Sequence, residues 1–218
     1  PRLTALLSRL TRDLGVPALA VHQVEGGLEQ LGIDPVSSAL VIGEDLLEEL
    51  EDPQIIFALS RMVARVRLHH APHCTLNPDQ LGHAVAAMLW TTCHSYTPPY
   101  PEAELGELRA TLEKTLGKRA RRQLESAGLE LSDHPIEPAR WLATMSLSED
   151  RLALAVSGDV QAALRLVLRA ETVRLQAGPD TPETLAASAG PRFRQMLSFA
   201  LSEEYLTLRE RLEMAVPS

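Results

Sequence analysis

The chain has 218 residues, 45% of them hydrophobic, 23% charged and 4% aromatic, which is enough apolar content to bury a core and too much for a disordered chain. Its 21 Lys and Arg stand against 29 Asp and Glu, a formal charge of -8 that opposes a phosphate backbone or an anionic membrane surface. Neither nucleic acid nor membrane is expected as a partner, and no apolar run reaches the roughly 18 to 20 residues of a membrane span.

The chain opens with Leu3, Leu6, Leu7, Leu10 and Leu14 at helical spacing, stopped by Gly15 and Pro17. Two short runs follow, Ala18 to Val24 and Ala39 to Ile42, bounded by Gly26-Gly27, Asp34-Pro35 and Gly43. They are the only good strand candidates. Beyond Glu44 the pattern is helical throughout. A short helix is expected over 44–50, then a long one to about Leu68 with Asp52 as N-cap and Pro53 at its first position. Asn77-Pro78 starts the next, to about His94, and Pro98-Pro99-Tyr100-Pro101 forces an extended link. One long helix is expected over 102–127 and another from Pro138 to about Val156. Asp159 is placed to cap a helix over 160–170, and Thr181-Pro182 and Gly190-Pro191 start the final pieces.

The fold class is therefore α+β, predominantly helical, with a small N-terminal β-sheet. No internal repeat or low-complexity run divides the chain. The best boundary lies at 171–190, giving a main domain over 1–170 and a C-terminal helical extension over 171–218 packed on it. Cys74 and Cys93 are too few for a disulfide framework and read as free thiols. With no charged-then-apolar leader in view, a cytoplasmic location is expected. Pro1 suits either a chain that has lost its initiator Met or one cut from a longer protein.

The stretch Ala39-Leu-Val-Ile-Gly43, then Glu44 to Leu50, then Asp52 to His70 reads as strand, short helix, capped long helix. In this order it resembles the core of HtpX-type and CAAX-prenyl-protease-type zinc metallopeptidases, gluzincin-like enzymes whose active-site helix carries HExxH. The resemblance covers about residues 18 to 170 and implies a zincin-like core. It places Arg61 at the first His, Met62 at the catalytic Glu and Arg65 at the second His. A later helix in that family carries E-x-x-A-D, whose Glu is the third ligand. The stretch from Ser146 to Asp159 resembles that region, with Asp150 at the family Asp and Ser146 at the ligand position.

In the HExxH motif two His at i and i+4 share a helix face, bind zinc through neutral imidazole nitrogens, and flank a Glu that activates the metal-bound water. A guanidinium is always protonated and accepts nothing, so Arg61 and Arg65 repel a cation, and Met62 cannot take a proton. The resemblance thus implies a catalytically inactive member without cofactor, retained as a structural or protein-interaction module. A larger bacterial protein with neighbouring domains is the context it implies. An ancestry-free reading also exists, because Ile55, Leu59, Met62 and Val66 already form an apolar stripe. If the metallopeptidase-like fold holds, Arg61 or Arg65 is expected to pair with Asp150 or Glu149 across two helices, since an unpaired buried guanidinium is strongly destabilising.

Three further constellations compete. His69, His70, His73 and Cys74, with His83, Cys93 and His94 further on, are zinc-ligand types, and a metal held by the His69 to Cys74 cluster would make the chain a divergent metal-dependent hydrolase. Against this, Pro72 breaks the helix between His69 and His73, and histidines at a helix C-terminus are favoured by its dipole. Arg61 and Arg65 could instead hold a phosphate or carboxylate, an anion-binding module. Lys114, Lys118, Arg119, Arg121 and Arg122 could meet an acidic partner, although Glu104, Glu107, Glu113 and Glu125 share the segment and favour simple solvation. There is no GxSxG, P-loop, GxGxxG after a strand, or SxxK. Trp90, Trp141, Phe193, Phe199 and Tyr205 read as packing anchors.

Overall fold

A computed structural model describes residues 2–71, 75–93, 95–133, 136–175 and 190–212. The expected α+β, predominantly helical architecture is present. Helix α1 (Arg2–Asp13) buries Leu7 and Leu10, and ends where Gly15 takes a left-handed φ of 61° that costs a Cβ-free residue little. Three strands follow, β1 (Val21–Val24), β2 (Gly32–Ile33) and β3 (Leu40–Gly43), with a 3-10 turn at Leu28–Gln30. The order is β1-β3-β2, with β1 parallel to β3 (Val21 opposite Leu40) and β2 antiparallel to it (Ile33 opposite Leu40). Central β3 buries Leu40 and Ile42. Strand β2 was not among the expected strands, because two residues are too short to display an alternating pattern.

The helices are α2 (Leu46–Glu49), α3 (Asp52–Arg67), α4 (Pro78–Thr92), α5 (Glu102–Thr115), α6 (Lys118–Asp133), α7 (Pro138–Ser157), α8 (Val160–Leu175), α9 (Pro191–Ala200) and α10 (Glu203–Arg211). Two expectations need correction. The N-cap of α3 is Glu51, whose extended backbone (φ -70°, ψ 155°) lets Gln54 Oε1 accept its N–H at 3.1 Å, so Asp52 is already helical. The single helix expected over 102–127 is two. The chain is extended at Leu116 (ψ 112°), next to poor helix former Gly117. Arg121 then closes the end of α5 by donating to the Leu116 carbonyl at 3.1 Å and to that of Glu113. Asn77 and Asp159 cap as expected, accepting from Gln80 and Ala162 N–H, each at 2.8 Å. The expected start at Thr181-Pro182 lies outside the described residues.

The chain forms two compact units, Pro1–Pro72 with Met145–Ser218, and His73–Thr144. This outline differs from the boundary expected at 171–190, because Met196, Phe199 and Tyr205 from the last helices join one core with Leu10, Leu40, Phe57, Met62 and Leu154. The second unit packs Leu81, Val85, Leu89 and Cys93 with Trp141 and Leu142, and Ala86, Ala87 and Leu105 with Trp90 and Tyr100. No helix among the described residues is long and apolar enough to cross a membrane.

Candidate functional site

Helix α3 runs through the core of the first unit with Phe57, Leu59, Met62 and Val63 all buried. Residues one turn apart share a face, so Arg61 and Arg65 project together, and Met62 between them faces the core at 2% exposure. Against that face lies α7, which presents Ser146, Glu149 and Asp150. Both carboxylates are inaccessible, Glu149 at 1% and Asp150 at 0% exposure. Carboxylates are almost never buried to that extent unless paired.

The pairing is extensive. Arg61 Nε donates to Asp150 Oδ1 at 2.7 Å, and its Nη2 donates to Ser146 Oγ at 3.0 Å and lies 3.5 Å from Glu149 Oε2. Arg65 Nε reaches both Glu149 oxygens at 3.2 Å, and its Nη2 donates to Oε2 at 3.0 Å. From the first turn of α9, Arg192 grips Asp150 with a fork: Nε donates to Oδ2 at 2.6 Å and Nη2 to Oδ1 at 2.8 Å. His70, just beyond α3, places Nδ1 3.3 Å from Glu149 Oε1. Such charge-assisted, partly bidentate bonds are the strong class. Burial pulls the Arg61 guanidinium below its ordinary value, Asp150 works in the opposite direction, and Arg192 adds to the lowering.

Every residue that the sequence singled out in this region lands in one cluster: Arg61, Arg65, Ser146 and Asp150 by direct bonds, and Met62 by its sulfur, 3.9 Å from Arg65 Nη1. The expected arginine-carboxylate pairing across two helices is present in both registers. Two members were not anticipated. Arg192 lies 42 residues beyond Asp150, and only the helix start at Gly190-Pro191 hinted that it had a fixed place. His70 belonged to the histidine constellation and instead meets Glu149.

The donor set does not suit zinc. Arg61 and Arg65 offer no lone pair, Met62 offers a thioether and Ser146 a hydroxyl already bonded to a guanidinium. Asp150 accepts three N–H donors and Glu149 is held by Arg65, so both carboxylates are engaged. His69 is exposed with a left-handed φ of 60°, and His73, Cys74 and His94 lie outside the described residues. Among the described residues no group of three or more His, Cys, Asp or Glu side chains is placed to hold a metal ion.

In the second unit His83 pairs with Glu104 at 2.9 Å and with the Asp79 carbonyl at 2.7 Å, while Cys93 is buried in the core. Lys114, Lys118, Arg119 and Arg122 are exposed, whereas Arg121 is the helix-end clasp described above. Trp90 carries Arg109 over its ring at 4.1 Å, and Phe199 meets Tyr205 edge-on at 5.6 Å, the packing roles expected of these anchors. Compared with known proteins, the chain matches no family model, no curated protein and no solved structure.

Proposed function

We propose that this chain is a non-catalytic domain with a zincin-like core, a metallopeptidase-like scaffold retained as a structural or protein-interaction module in which an ion cluster stands where such enzymes hold zinc. One observation carries the reading. Arg61 and Ser146, at the positions that the family resemblance assigns to the first His ligand and the third ligand, meet at 3.0 Å across two helices. Convergence of these two positions, 85 residues apart, is what a shared ancestral metal site requires and what an arbitrary pair of arginines on a helix does not. The order strand, short helix, capped long helix leading into Arg61 supports the same reading.

The chemistry follows from the donors. With guanidiniums at both imidazole positions and a thioether at the position of the general base, these residues can neither ligate zinc nor take a proton from water. What it can do is hold α3, α7 and α9 in fixed register. A cytoplasmic setting, a protein partner and neighbouring domains of a larger bacterial protein complete the proposal.

The test has two parts. Purified untagged protein, dialysed against zinc, is measured for bound metal and for chelator-sensitive peptidase activity; neither is expected. The same measurement on a variant carrying Arg61→His, Met62→Glu, Arg65→His and Ser146→Glu is expected to show about one zinc per chain. Stoichiometric zinc with hydrolysis in the unaltered protein contradicts the proposal. A folded variant that takes up no zinc contradicts the ancestry.

A further inference from the structure

Helix α6 packs on α4 through Gly128, where a Cβ would collide with Cys93 Sγ, and through Leu131, which joins Leu81, Val85 and Leu89. The opposite face is open to solvent. Lys118, Arg119, Arg122, Glu125, Leu129 and Glu130 are all exposed, Leu129 at 55%. At 3.6 residues per turn these six positions fall on one side of the helix.

Charge along that side is ordered against the helix. The first turn carries Lys118, Arg119 and Arg121 with no acid, the last turn carries no base, and Glu125 and Glu130 follow towards the C-terminus. A helix has its positive pole at the N-terminus, so cations in the first turn and a carboxylate in the last are unfavourable when it stands alone. Among the described residues, none of the side chains of Lys118, Arg119, Arg122, Glu125 and Glu130 has an ion-pair partner.

Such a face is its own complement. Turned end for end, a second α6 brings its acidic half to the basic first turn of the first, and the two-fold axis repeats every contact. Arg119 and Arg122 of each copy then meet Glu125 and Glu130 of the other, and the two helix dipoles run in opposite directions. Leu129 gains the aliphatic stem of Arg122 as a packing partner. A wholly acidic partner would suit the cations but would set its carboxylates against Glu125 and Glu130.

We propose that this face binds a second copy of the chain, α6 against α6 antiparallel, in a two-fold dimer. The inference rests on the charge order of one helix and is independent of any metallopeptidase ancestry. A 16-residue helix is about 24 Å long, so the interface is small and the dimer weak. The net charge of -8 opposes association at long range, but at about 0.15 M salt charges more than roughly 8 Å apart are largely screened and paired ones are not.

Sedimentation equilibrium of the full chain, in about 0.15 M salt and at up to about 0.3 mM protein, tests it. A reversible monomer–dimer equilibrium is expected. The variant Lys118→Glu, Arg119→Glu, Arg122→Glu makes the face acidic, and Glu125→Arg, Glu130→Arg makes it basic. Every altered side chain is exposed, and Arg121 is kept because it closes α5. Each variant alone is expected to dimerise at least ten times more weakly, and a one-to-one mixture of the two to form a heterodimer at least as tight as the original pair. A chain that stays monomeric throughout, a dimer that persists undiminished in either variant, or a mixture without heterodimer overturns the proposal.

Discussion

Asp150 has no accessible surface and takes three N–H donors from two helices. Removing one partner of a buried charged set leaves the rest uncompensated, a loss on the order of 3–5 kcal/mol, whereas the intact set contributes little beyond what apolar packing would. Asp150→Asn keeps the shape and removes the charge that Arg61 and Arg192 share. Its unfolding free energy in urea is expected to fall by about 3–5 kcal/mol, and a loss under 1 kcal/mol would mean that water already solvates the pair. These residues were not equally legible in the sequence. Arg61, Arg65 and Asp150 stood out through the resemblance to the HExxH pattern, and the need of a buried guanidinium for a counter-charge then pointed to Asp150 or Glu149. Arg192 and His70 did not, because neither falls on a position that the resemblance marks, and a bond to Asp150 or Glu149 from another element leaves no local pattern.

Helix ends were the most readable elements and strand β2 the least, because a cap is written in one or two residues and a strand in its alternation. Asp159 shows the first case: its carboxylate oxygen accepts the Ala162 N–H at 2.8 Å, just after Gly158 turns with φ 74°. Asp159→Ala is expected to cost about 1 kcal/mol in a urea titration; no loss would mean that solvent satisfies the helix end equally well. The break between α5 and α6 was hidden because a single glycine is often tolerated inside a helix, and what decides here is Arg121 reaching back to the carbonyls.

Helices α4 and α5 are joined by His83, whose pKa is raised first by the Glu104 carboxylate and then by the Asp79 carbonyl. With both ring nitrogens on acceptors, the protonated form is the one that suits the native structure. A raised folded pKa gives stabilisation that is complete below the unfolded value of about 6.5 and disappears as pH climbs through the folded one. The stability gap between the unaltered protein and His83→Gln, followed by urea titration across pH 5 to 9, is therefore expected to shrink with rising pH. A gap that grows with pH, or an NMR titration of His83 below 6.5, would reverse the assignment.

At the scale of the whole molecule the fold class was visible because apolar residues recur at helical spacing after Glu44, and only the N-terminal fifth carries strand-like runs. The compact units were not visible, since their outline depends on the last helices returning to the core that α1 and β3 begin. What binds that core together is partly apolar and partly ionic, and the ionic share is the central claim. It is tested most directly by a double-mutant cycle in urea on Arg61→Gln, Asp150→Asn and the pair. The account predicts a coupling of about 2 kcal/mol or more, the double variant losing far less than the sum of the singles. Additive losses, with coupling within about 0.5 kcal/mol of zero, would show that the two side chains are neighbours and not a clamp.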